Sequence, residues 1–433
     1  MSTESIGPDG PDVEIEEVVT HHVPANNGAG PLWCYGSPPI IRNGDRVYLS
    51  IPETDPALER LCNTRWQLHC RDEDGWKAIR HGDYHDEREP CPLVILPDEK
   101  IGMSVNPLLD PQSEERSGPC LPHLLEFDTA DLSTPPAERM PEWDKDYSSF
   151  CEHSYRGVGI DQANELLLLL NIDDHEGYAW SLMASGGSWL RSGHFNFPIR
   201  ACYPQVGMHN GSAHIMAVGD ILETNQEWSD FKRKQTGRDW DYDFRRLFYT
   251  WTPDVRSEEF YPPIEIDSFE ETAGYIRNLD MWIDPDGAVH LLYASRNIWH
   301  DFMRDEFFPK EPFVSRLEYR VLNDGVIVHG QTLAVHTKDE QNPNDTGPYF
   351  TAGAFHVAED GTLRVIFTPK EAGMWLMQVA PESTDPPSYI NIQKPLLSFA
   401  APANRNGSTA SNHIDLYGTT EEPNALSYVR LGI

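Results

Sequence analysis

Short apolar runs recur along the whole chain, each preceded by a pair of turn-forming residues. Asn43-Gly44 precedes the run 46–50, and Asp98-Glu99 precedes 101–105. Ala163-Asn164 leads into 166–170, Asn210-Gly211 into 214–218, and Asp286-Gly287 into 289–293. Asp360-Gly361 leads into 363–367, and Ser411-Asn412 into 414–417. Asn-Gly and Asp-Gly mark tight hairpins because both central residues of the turn take positive φ. A further β-patterned run follows each hairpin, at 65–69, 123–127, 179–183, 246–250, 316–320, 375–379 and 427–431. A fourth run is visible in several units, as at 75–79 and 188–190.

Seven such units, spaced roughly 45–75 residues apart, fall in the range of propeller blades with insertions. The chain stops at Ile433, just after the third run of the last unit. Near the other end, 12–19 alternates Val13, Ile15 and Val18 with acids, the pattern of a half-buried strand. That segment supplies the missing fourth strand and closes the ring. The expectation is all-β: a seven-bladed β-propeller of four-stranded antiparallel blades. It is read as one domain over 12–433, with a flexible N-terminus at 1–11 and no long amphipathic helix. A β-sandwich or a pair of β-domains is the alternative, and it leaves the sevenfold repetition unexplained.

Composition narrows the partners. Asp plus Glu number 69 against 34 Lys plus Arg, a net charge of −35, with 12 Trp, 17 Tyr and 17 Phe. Disordered acidic chains are poor in aromatics, so this one folds. Nucleic acid is excluded as a partner, because phosphate backbones are bound by Lys and Arg that release counterions. An anionic membrane surface is disfavoured for the same reason. Only nine of the 34 basic residues are Lys, which fits a salty habitat or codon bias equally. No run approaches the roughly 18 apolar residues of a membrane helix, and Met1–Ser5 shows no secretory signal. A cytoplasmic location with reduced thiols is the expectation; the seven Cys include no CxxC pair.

Arg71-Asp72-Glu73-Asp74-Gly75-Trp76 and Ala184-Ser185-Gly186-Gly187-Ser188-Trp189 are similar to worn Asp-boxes, the S-x-D-x-G-x-x-W turn. Both lie between third and fourth strands. With the seven units they make nearly the whole chain resemble the sialidase-like (BNR-type) propeller superfamily. That resemblance implies a carbohydrate-active protein, since the superfamily includes sialidases and polysaccharide lyases of the ulvan-lyase and rhamnose–glucuronate-lyase types. Fold alone does not choose among them.

Topology locates the site. The segments leading into each innermost strand share one face of the ring with the loops joining second to third strands, so they converge on one mouth. These lead-ins carry Trp33, Cys34 and Tyr35 (blade one), Glu89 and Pro90 (two), and Glu152, His153, Ser154, Tyr155 and Arg156 (three). Blade four offers Arg200, Cys202, Tyr203 and Gln205; blade five Tyr275, Arg277, Asn278 and Asp280; blade six Tyr349 and Thr351; blade seven Asn404, Arg405 and Asn406. Charged side chains are rarely buried unpaired. Each Arg alone reads equally as a structural ion pair. Several at one mouth read as an anion trap, since Arg grips carboxylate and sulfate through paired hydrogen bonds. The inserts 219–245 and 295–315 overhang the same face with Trp228, Trp240, Tyr242, Trp299, His300, Arg238, Arg245 and Arg296. They read either as sugar-stacking walls or as loops packed by their own aromatics.

Two chemistries fit. In β-elimination from a uronic-acid-containing glycan, Arg200 and Arg277 neutralise the carboxylate. His153 takes the proton, since imidazole titrates near neutrality, and Tyr203 or Tyr155 protonates the leaving oxygen. Arg156, Tyr275, Asn278, Arg405, Trp33, Tyr35, Trp240 and His300 then bind substrate. In a sialidase-like hydrolase, Arg156, Arg200 and Arg277 would hold a carboxylate. Tyr275 or Tyr203 would be the nucleophile, with Glu152 or Asp280 beside it; the F-R-I-P motif is replaced by Trp33-Cys34-Tyr35-Gly36-Ser37-Pro38. A rhamnosidase-like propeller using one His is a variant of this reading, and a non-catalytic glycan- or protein-binding propeller is the third. His209 and His214 flank a far-face hairpin, and no H-x-H or HExxH motif occurs, so no catalytic metal or cofactor is expected. A structural cation in the axial channel is the remaining alternative.

Overall fold

The computed structural model describes residues 10–33, 37–144, 149–184, 186–238, 242–338, 350–369, 373–383 and 385–433. Cys34, Tyr35, Trp240 and Tyr349, named above as mouth residues, lie outside them.

Seven four-stranded antiparallel sheets follow one another around a ring. Blade one shows the plan: Ile40–Asn43, Arg46–Thr54, Thr64–Asp72 and Gly75–His81 pair in sequence order. The innermost strands of the other blades are Leu93–Ile95, Arg156–Asp161, Ala201–His209, Tyr275–Ile283, Phe350–Val357 and Ser398–Ala400. The turn pairs behave as their chemistry requires, with Asn210 at φ 48° and Gly211 at 86°. The seven-bladed β-propeller expected from the repeats is the observed fold.

Ring closure follows the expected route. Asp12–His21 pairs antiparallel with Ala425–Gly432, from Asp12 opposite Gly432 to His21 opposite Ala425, as the outermost strand of blade seven. The seam is riveted by charge: Arg42 of blade one bonds Asp415 of blade seven at 2.7 Å, and Arg71 of blade one bonds Glu17 of the N-terminal strand at 2.7 Å.

The core lies between blades. Ile40, Leu49, Tyr417 and Tyr428 join blades seven and one, and Val94, Leu124, Val158 and Leu169 join two and three. Middle strands are therefore covered on both faces. This explains why Leu166–Ile172 is a continuous buried run rather than an alternating one. Outer strands such as Ser188–Phe195 keep the mixed pattern of one wet face.

Three features depart from expectation. The long inserts contain two short helices, α1 (Gln226–Thr236) and α2 (Asp301–Phe307). The Asn225 side chain caps α1 by accepting from the Glu227 and Trp228 amides, and Gly237 ends it at φ 69°. Their length of two to three turns is too short to show as a long periodic pattern. Second, Trp228 and Phe231 of α1 pack on Phe307 and Phe308 beside α2, so this part of the inserts is filled by its own aromatics. Third, Asn404–Asn406 does not lead into blade seven but follows its innermost strand as a single 3-10 turn. It packs against the innermost strands of blades two to five and plugs the axis. Gly407 then turns at φ 85°, where a Cβ would stand 2.6 Å from the Ile95 carbonyl.

Candidate functional site

The lead-in to blade three is fixed at its start by Phe150–Cys151, which pairs with Pro119–Cys120 of blade two. It then delivers His153, Ser154 and Tyr155 to the mouth. His153 Nδ1 is 2.9 Å from Glu89 Oε1, a carboxylate held from the lead-in to blade two. The imidazole is about a quarter exposed and the carboxylate almost wholly buried, so only the ring's far side reaches solvent.

Tyr155 lies edge-on to His153, with ring centroids 4.5 Å apart. Its hydroxyl donates to Asp220 Oδ2 at 2.9 Å, and Arg200 Nη1 reaches the same oxygen at 2.8 Å. The Arg200 guanidinium also lies over the Tyr155 and Tyr242 rings, at 5.3 and 5.2 Å. Burial raises the Asp220 carboxyl above the usual range, and Arg200 opposes that shift. Burial likewise drives the Tyr155 phenol well above its ordinary value.

Tyr203 has φ 52°, a left-handed conformation unusual for a bulky residue, within an irregularity of the innermost strand between Cys202 and Gln205. Asn278 Nδ2 of blade five donates to the Tyr203 carbonyl at 2.6 Å and holds the kink. The half-buried Tyr203 ring meets Tyr155 at 5.1 Å and Trp33 at 5.6 Å. Trp33 arrives on the segment leading from the N-terminal strand. That segment is pinned by Asn27, whose amide donates to the Leu61 and Arg88 carbonyls, and by Ser37, which accepts from the Val158 amide. Trp33, Glu89, Ser154, Tyr155 and Tyr203 line one recess. Phe244 continues the aromatic wall to Tyr275 and Trp299, at 6.1 and 6.0 Å. A second recess, nearer the axis, is lined by Leu32, Pro38, Arg277, Asn278, Asp280 and Arg405. Around both, Ser154 Oγ, both amide atoms of Gln205 and Asn278 Oδ1 are buried and find no hydrogen-bond partner among the described residues.

The structure thus brings His153, Tyr155, Arg200, Tyr203 and Trp33 into one contact network, joined to Tyr275 through Phe244 and to Asn278 through the Tyr203 carbonyl, while Arg277 lines the second recess. Other expected site residues are placed differently. Arg156 lines the first recess, but its guanidinium is held by Glu87 at 3.4 Å and by the Glu89 and Pro90 carbonyls at 3.0 and 2.9 Å. Arg405 sits in the axial plug, 3.3 Å from Asp280. Its guanidinium is the positive charge opposite Asp280. His300 is stacked on Trp299 and Phe302, at 5.4 and 4.8 Å, and burial pushes its imidazole down to about 4. Among the described residues no group of three or more His, Cys, Asp or Glu is placed to hold a metal ion.

Charge at the mouth also differs from expectation. Arg156, Arg200 and Arg405 each face a carboxylate, so these three are structural ion pairs rather than members of a cationic trap. A buried guanidinium needs its own counter-ion: Arg156 takes one from the neighbouring blade, Arg200 from its own blade, and Arg405 from blade five. Asp220 and the orienting role of Glu89 were missed in the sequence. Asp220 stands two positions after the 214–218 run, at the start of the long insert, and Glu89 stands in a lead-in otherwise poor in chemistry.

No family model matches the chain, and no curated protein sequence matches it. Solved structures do. The polysaccharide lyase Uly1 aligns with a TM-score of 0.53 and 10% identity over 92% of this chain and 89% of its own. The BP39L lectin from Burkholderia pseudomallei aligns at 0.51 and 10%, over 92% and 96% of the two chains. A puromycin-hydrolyzing peptidase of Mycobacterium tuberculosis aligns at 0.51 and 12%, over 96% of this chain and 54% of its own. At such identities the likeness is one of fold, and the fold it shows is the β-propeller.

Proposed function

We propose that the protein is a carbohydrate-active enzyme that cleaves a uronic-acid-containing glycan by β-elimination at the mouth beside His153 and Tyr203. The observation that carries this reading is the Glu89–His153 pair, set within one aromatic cluster with Tyr203. With Nδ1 turned to Glu89, Nε2 faces the mouth as a base. It takes the C5 proton of the uronate; that electron pair forms the C4=C5 double bond as the C4–O bond breaks. The departing oxygen receives its proton from the Tyr203 hydroxyl. Tyr155 is unsuited to that step, because its hydroxyl proton is committed to Asp220 and burial makes the phenol a weaker acid. The uronate carboxylate is assigned to Arg277, which lines the neighbouring recess with Asn278, and Asn278 Oδ1 accepts from a sugar hydroxyl. Propeller architecture is compatible with this chemistry, since the lyase Uly1 is built on a similar fold.

The hydrolase reading asks for Arg156, Arg200 and Arg277 around one carboxylate. It loses Arg156, which is 5% exposed and held by Glu87. The ion-paired arginines favour glycan binding without turnover as the second reading.

The test is to offer uronate polysaccharides and oligosaccharides and follow the ultraviolet absorbance of the unsaturated uronate. The reading expects it from the wild type and not from His153→Ala. Saturated sugar products from the wild type overturn the elimination; binding with no product establishes the second reading.

A further inference from the structure

The outermost strand of blade five, Val326–Thr337, is 12 residues long and contains no Asp, Glu, Lys or Arg. The chain as a whole is 24% charged. Other long outer strands carry charges against edge-to-edge pairing, whereas this one is interrupted by pairing irregularities beside Val328 and Leu333 and carries no charge. Gly75–His81 carries Lys77 and Arg80, Ser188–Phe195 carries Arg191, Ile264–Ser268 carries Glu265 and Asp267, and Asp12–His21 carries acids throughout. Val326–Thr337 instead presents Val326, Ile327, Val328 and Val335 at 63, 41, 56 and 52% exposure. One edge pairs with Val314–Asn323; the other has no strand partner among the described residues.

We propose that this strand is the contact between two copies of the chain, paired edge to edge and antiparallel about a two-fold axis. Charge selects the occupant. Two bodies of net charge −35 repel wherever their acidic surfaces meet, and this uncharged strip is where the copies approach at least electrostatic cost. A basic partner would be drawn to the acidic surface instead. Self-pairing satisfies the outer amides and carbonyls of both strands and covers the same valines on both sides, as an isologous interface requires. Salt dependence follows. Added salt shortens the Debye length, about 8 Å at physiological ionic strength, which weakens the repulsion but not the apolar contact. The dimer therefore strengthens with salt.

The experiment is sedimentation velocity of the full chain across micromolar concentrations at low and high salt. The expected result is a monomer–dimer equilibrium shifted toward dimer by salt. Val328→Lys/Val335→Lys should be monomeric throughout, with an unchanged circular dichroism spectrum and thermal midpoint. Leu190→Lys, on the outer strand of blade three, should dimerise as the wild type does. A monomer under every condition overturns the proposal. So does a dimer that survives the double substitution, or one lost equally in the Leu190 control. Should the double variant misfold, Val328→Thr/Val335→Thr, which keeps β-branching and removes apolar surface, must weaken dimerisation; if it does not, the proposal falls.

Discussion

His153 Nδ1 lies 2.9 Å from Glu89 Oε1, and the two side chains come from the lead-ins of neighbouring blades. A carboxylate in that position favours the proton on Nδ1, which leaves Nε2 as the nitrogen that the proposed base would use. Glu89→Gln should therefore lower kcat by about 10²–10⁴-fold, the usual worth of an oriented general base, with little change in KM. Steady-state kinetics on a turned-over uronate glycan checks this; an unchanged kcat removes His153 from the role of base.

The two tyrosines should separate. Tyr203→Phe is expected to abolish turnover and keep the melting midpoint. Tyr155→Phe strips a donor from buried Asp220 and should destabilise the fold by about 1–3 kcal/mol. Parallel denaturation and activity measurements distinguish them, and equal loss of activity and stability in both would contradict the assignment.

Glu87 makes a pH prediction. It is buried beneath the mouth, and desolvation lifts its carboxyl from 4.5 to about 7 while Arg156 pulls the other way. A carboxyl with a higher pKa folded than unfolded holds its proton more tightly in the fold. Its contribution to stability is full below about 4.5 and declines as the pH rises to about 7. Glu87→Gln removes this dependence. Relative to wild type, the variant's melting midpoint should climb across that window and then level; a parallel pair of curves would contradict it.

Arg405→Leu should destabilise the ring by about 3–5 kcal/mol, because it leaves Asp280 buried in the axial plug without its counter-ion. Asp280 also accepts the Phe355 amide at 2.8 Å, so Arg405→Leu/Asp280→Asn, which keeps an acceptor there, should recover part of the loss. Chemical denaturation of the two variants measures the difference; no loss in the single variant would mean the plug is not held by charge.

The ring was legible because its signals are local. Asn210-Gly211 and Asp286-Gly287 fix hairpins within four residues, and the valines and acids of 12–19 mark a strand that needs a neighbour. The mouth was legible to the extent that topology dictates it: His153, Tyr203 and Trp33 meet because lead-ins converge. Pairing between blades was not. Glu89 with His153, and Asp280 with Arg405, are 64 and 125 residues apart, and a periodic pattern carries no information on which lead-in faces which. Arg156 shows the consequence. Its position marked it as a mouth residue, yet the acid that claims it, Glu87, lies 69 residues earlier in the sequence.

Elimination at the His153–Tyr203 mouth has a signature in the mass of the products. Elimination adds no water, so the fragments of a uronate oligosaccharide must sum to the mass of the substrate, one of them carrying a double bond. Wild type should give that sum, and His153→Ala should leave the substrate intact. Fragments that sum to substrate plus one water would show hydrolysis and contradict it.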